Sequence, residues 1–153
     1  MAFGSEIARG RSILVVLEPG DDAIPALAAE CARHGIAQGF IPVFSGAFRR
    51  VTVVGTDHAI DDEDAPLPEA VTVRNAEGFG SGTVATTDGE LVIHLHVSVG
   101  EKARSAAATT GHLLTAEVQY PVEVVVEEIV APELARRVNE ASRGLATLTF
   151  PRG

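Results

Sequence analysis

The chain has 153 residues, 46% of them hydrophobic, which suits one folded domain and not a disordered segment. A formal charge of −9 argues against direct nucleic-acid binding, because that affinity comes mainly from Lys and Arg neutralising phosphates. The single cysteine, Cys31, excludes an internal disulfide and a thiolate metal cluster, and no apolar run reaches the length of a membrane-spanning helix.

The N-terminus lacks a charged start followed by an apolar core, so no signal peptide is expected and the expected location is cytoplasmic. Aromatic residues are few and Trp is absent, so the core is built from Val, Ile, Leu and Ala, which favours strands. Arg9-Gly10-Arg11 is similar to the centre of an AT-hook, but no proline follows and a strand begins at once. Ser12–Leu17 reads as that first strand. Glu18-Pro19-Gly20-Asp21 is a turn, and Asp21 or Asp22 can cap the following helix. Ile24, Leu27, Ala28 and Cys31 give helical spacing as far as His34, with Pro25 tolerated in the first turn. His34-Gly35 is a helix stop. Cys31 among alanines reads as a small buried filler.

Ile36–Phe48 suits a strand with a bulge at Ser45-Gly46, and Arg50–Gly55 its partner. Residues 56–68 are acidic and read as an exposed loop that includes His58. Asp61, Asp62 and Asp64 lack the glycine and distal glutamate of an EF-hand. Glu69–Ala76 is the next strand. The glycine-rich stretch 78–82 reads as a bend or bulge, since strand and not helix follows it. Asp88-Gly89 marks a hairpin.

The stretch from Leu91 to Leu114 holds three of the five histidines. His94 and His96 lie two apart in a strand, so both project from one face. His112 follows as the next apolar run begins, after an Ala-rich loop over 100–110, and Gly111 before it permits a tight turn. If a short loop folds the two runs together, three imidazoles converge. That suits Zn²⁺ or a similar divalent metal and leaves one coordination position open. The alternative reading is two histidines lining a polar groove or an interface.

His112–Gln119 and Val122–Val130 read as two strands with a bend or bulge at Tyr120-Pro121. Pro132–Arg143 reads as a short helix, and Thr147–Phe150 as a last edge strand. The expected fold is α+β: a single domain with a largely antiparallel sheet, one main helix packed on it and a short C-terminal helix.

Leu17-Glu18-Pro19-Gly20-Asp21, Phe44-Ser45-Gly46-Ala47, Gly82-Thr83-Val84-Ala85, His94-Leu95-His96-Val97, Gly111-His112-Leu113-Leu114 and Val122-Glu123-Val124-Val125 occur in an order that resembles the plant and prokaryote conserved (PPC or PCC) domain. The resemblance covers residues 11–130 and leaves 131–153 as a C-terminal extension. It implies a homotrimer and places the family histidines at His94, His96 and His112, where some members hold a metal. It also implies kinship with stand-alone prokaryotic members that lack AT-hooks and are often described as DNA-binding proteins. Thr110 stands where the family often has a further glycine, and Glu77 is out of register with a family glutamate. Glu123 matches the family and is a candidate for orienting an imidazole.

Two functions are carried forward. The first is a trimeric binding or regulatory module with a metal or small-ligand pocket at the three histidines. The second is a metal-dependent hydrolase or lyase using a water on a three-histidine metal, which needs a nearby base; Glu117 and Glu123 are the acids closest in sequence. A DNA-binding regulator is a third reading, opposed by the acidic charge.

Overall fold

A computed structural model describes residues 2–55, 68–105, 107–139, 142 and 144–151. The acidic segment, with His58, Asp61, Asp62 and Asp64, lies outside the described residues. The elements run β1 (Ala8–Leu17), α1 (Ala23–Arg33), β2 (Gly39–Val54), β3 (Val71–Thr87), β4 (Glu90–Glu101), a single 3-10 turn (Lys102–Arg104), β5 (Ala108–Ala131), β6 (Ala135–Arg137) and β7 (Thr147–Thr149).

The sheet closes on itself into an antiparallel barrel, which corrects the expected α+β domain of a largely antiparallel sheet with one main helix and a short C-terminal helix. β2 pairs with β3 and β5, and β4 pairs with β3 and β5, all antiparallel. Stepping through cross-strand partners from Thr110 to Ser98, Phe79 and Ser45 returns to β5 at Glu123, thirteen residues along the same strand. That displaced return is the register shear of a closed barrel. β1 extends the sheet along β5, from Leu17 opposite Val122 to Ala8 opposite Ala131. Val51, Val84, Leu95, Val97, Leu113, Val118 and Val124 fill the interior.

Long strands replace several of the expected shorter ones. β2 runs unbroken through Ser45-Gly46, where its pairing with β5 shifts register. β5 runs unbroken through Tyr120-Pro121. β3 contains the whole glycine-rich stretch. Gly78, Gly80 and Gly82 lie opposite Val99, Val97 and Leu95. A Cβ on any of them would run into the carbonyl oxygens of Ser98, His96 or His94 respectively. The stripe therefore lets β3 and β4 approach closely and coil as closure demands. The hairpin at Asp88-Gly89 appears as expected, with both residues at positive φ.

α1 is the one α-helix among the described residues. It buries Ala23, Leu27 and Cys31 in the barrel core. Asp22 stands at its N-cap without a side-chain cap bond. Asp21 instead accepts a 2.8 Å bond from the Glu18 N–H and closes the preceding turn. His34 is the C-cap residue, as the stop signal indicates.

The expected helix over Pro132–Arg143 is not formed: its described part contains β6. Ala135 pairs with Thr149 on β7 and with Thr86 on β3. The Gln38 side chain donates to the carbonyls of Ile129 and Pro132 (2.8 and 2.9 Å) and accepts from the Leu134 N–H (2.7 Å). These partners hold the backbone extended against a weak helical preference. The expected edge strand at 147–150 is β7.

Candidate metal centre

Alternation along β4 buries Ile93, Leu95, Val97 and Val99 and turns His94 and His96 to the outside of the barrel. The turn after β4 is short enough for β5 to return beside it, placing His112 directly opposite His96. The ring centroids are 5.1 Å apart for His94–His96, 4.7 Å for His94–His112 and 5.4 Å for His96–His112. One nitrogen from each ring lies within 4.8 Å of the others. A tetrahedral Zn²⁺ with Zn–N near 2.0–2.1 Å needs nitrogens roughly 3.3 Å apart, so shifts of about 1 Å suffice to wrap an ion. The three histidines could therefore hold a metal.

Gly111 serves this geometry differently from the expected turn. It lies in mid-strand, and a Cβ there would sit 2.7 Å from the Val54 carbonyl oxygen. The glycine lets β2 pass close beneath the residue that carries His112. Glu123 is not brought to the imidazoles. It is exposed eleven residues further along β5, paired in register with Ser45 and Val16. Glu117 faces Arg49 and Arg50 at 4.0 and 3.9 Å, in a separate surface depression of about 450 Å³ that Arg74 also lines.

A residue not anticipated from sequence joins the histidines. Arg136 on β6 is only 9% exposed. Its Nη2 donates to the Thr83 hydroxyl (3.0 Å) and its Nη1 to the Ala146 carbonyl (3.1 Å). Thr83 lies directly opposite His94, so the two side chains share the outer face. No local signal marks Arg136: it stands beside the exposed Arg137 in a segment that reads as helix.

The electrostatics favour neutral imidazoles. Burial first, then the Arg136 charge and the neighbouring imidazoles, bring the His94 pKa down to about 4. Burial, His96 and Arg136 lower that of His112. Unprotonated nitrogens at neutral pH are the form that binds a metal. Cys31 is fully buried in the core and its thiol is pushed up by that burial, so it acts as packing.

The Arg-Gly-Arg segment is committed elsewhere. Arg9 pairs with Glu127 at 3.3 Å and Arg11 with Glu128 at 3.1 Å, as part of β1. No helix among the described residues is long and apolar enough to cross a membrane.

Three solved structures share this architecture across nearly their whole length. A PPC protein from Pyrococcus horikoshii has a TM-score of 0.80 at 20% identity, covering 99% of both chains. A metal-containing protein from Archaeoglobus fulgidus has a TM-score of 0.77 at 24% identity, covering 97% of this chain and 99% of its own. A protein from Bacteroides thetaiotaomicron, described as a candidate DNA-binding protein, has a TM-score of 0.75 at 25% identity, covering 95% and 99%. No curated protein matches the sequence. Residues 4–130 match the Plants and Prokaryotes Conserved (PCC) domain, most of the chain. The chain therefore belongs to the PCC domain family.

Proposed function

We propose that this PCC-domain chain is a homotrimeric binding module whose His94, His96 and His112 hold a divalent metal, zinc or a similar ion, as part of a small-ligand pocket. The observation that carries the reading is the convergence of three imidazoles, one nitrogen from each within 4.8 Å of the others, from two strands. A metal held there would act as a Lewis acid with one position free for a ligand. The binding reading is preferred to the hydrolase or lyase alternative because of what surrounds the imidazoles. The charges acting on His94 and His112 are Arg136 and the other histidines, and neither Glu117 nor Glu123 is placed as a base.

Assembly is supported by apolar side chains left on the outer surface. Leu14 is 72% exposed and Phe79 68%, with Val16 and Val43 also exposed. A closed ring of subunits would cover such residues and the β1 edge. A link to DNA, as described for the Bacteroides protein, would run through partner proteins, given the charge of −9.

Equilibrium dialysis against zinc followed by elemental analysis tests the metal. One ion per three-histidine cluster is expected in the wild type and none in the His94→Ala/His96→Ala double variant. Equal metal in both proteins would contradict the site.

A further inference from the structure

Arg136 poses a problem that the three histidines alone do not. It is a guanidinium nine-tenths buried, and among the described residues its hydrogen bonds go to neutral oxygens, the Thr83 hydroxyl and the Ala146 carbonyl. Its Nε is buried without a partner. Burial lowers its pKa, and none of the ion pairs among the described residues involves it. A buried cation without a counter-charge is costly, and a dication on the adjacent imidazoles would add to the cost. Among the described residues no carboxylate pairs with Arg136, and an anion supplied from outside would give it a counter-charge.

We propose that Arg136, Thr83 and the three imidazoles form one composite site that takes a small oxyanion, held between the Arg136 guanidinium and a metal on His94, His96 and His112. This rests on the metal reading above and adds the ligand class to it. The planar fork of an arginine matches the two oxygens of a carboxylate or a phosphate, which a lysine does not. Thr83 holds the guanidinium from the strand that faces His94, so the anion site and the metal site meet across the β3–β4 pair. The shared chemistry is a compact oxyanion; the source is a carboxylate or a phosphate.

Cobalt-loaded protein gives a visible spectrum that reports a ligand entering the open position. Titration with oxalate in one arm and inorganic phosphate in the other is expected to shift that spectrum, and the tighter arm identifies the source. Arg136→Met is expected to keep its cobalt while losing roughly ten- to a hundredfold in oxyanion affinity, the worth of a charge-assisted hydrogen bond. Arg136→Lys keeps the charge without the fork and is expected to bind the oxyanion more weakly than wild type. It serves as the deciding variant if the methionine variant does not fold. Unchanged oxyanion affinity in the variant, or no response of the wild type to either anion, would overturn the proposal. If the wild type takes up no cobalt, the metal reading fails on its own. Calorimetry of the metal-free protein with the same anions then decides the Arg136 claim: binding lost in the variants supports it, and no binding by the wild type overturns it.

Discussion

His94 and His112 are half-buried beside the Arg136 cation, with no carboxylate among the described residues acting on them, and that combination sets their chemistry. In the unfolded chain each has the ordinary histidine value of 6.5, whereas in the fold His94 titrates at about 4. Between those values the unfolded state binds the proton and the folded state does not, so acid favours unfolding. The metal-free protein is therefore expected to keep its full stability above about pH 6.5 and to lose it progressively as pH falls through about 4. Urea midpoints taken across that range check this. His94→Ala should flatten the slope, and an unchanged slope would show that other groups govern it. The two strand histidines and their partner were legible because a period of two and a following apolar run are local signals. Arg136 was not legible, since its burial depends on β6 lying against β3 and on the Thr83 hydroxyl, neither of which is encoded nearby.

At the scale of elements, the glycines of β3 matter more than the loops around them. Gly82 sits against the carbonyl of His94, so a methyl group there would push the histidine strand away. Gly82→Ala is expected to destabilise the protein by about 1–3 kcal/mol, because backbone and not a flexible side chain stands in the way. Gly4→Ala, with nothing within 4 Å, should change stability by less than about 0.5 kcal/mol. Chemical denaturation of the two variants checks the contrast, and equal effects would contradict the close-approach account. The same glycines explain a misreading. Gly78, Gly80 and Gly82 look like a bend in one dimension, but they are an extended strand pressed against its neighbour. α1 and the Asp88-Gly89 hairpin were legible because caps, helical spacing and turn residues act within a few positions. The C-terminal segment was read as helix for want of its partners, Gln38 and Thr86, which lie far away in sequence.

For the whole molecule, β5 is the strand that joins the parts: it pairs with β4 near its start, which sets His112 opposite His96, and with β2 along most of its length, which closes the barrel. Local periodicity carries no record of such pairing, which is why the sequence reading stops at a largely antiparallel sheet and does not reach a closed barrel. The surface outside that barrel keeps Leu14 and Phe79 exposed. A Leu14→Glu/Phe79→Asp double variant is expected to sediment as a monomer where the wild type sediments as a trimer, with the fold retained by circular dichroism. A wild type that sediments as a monomer would contradict the assembly.

Anomalous diffraction from crystals soaked in zinc bears most directly on the site. The account expects a single strong peak about 2.0–2.1 Å from one nitrogen each of His94, His96 and His112. Density showing the three rings turned apart, with zinc bound only at surface carboxylates, would contradict it.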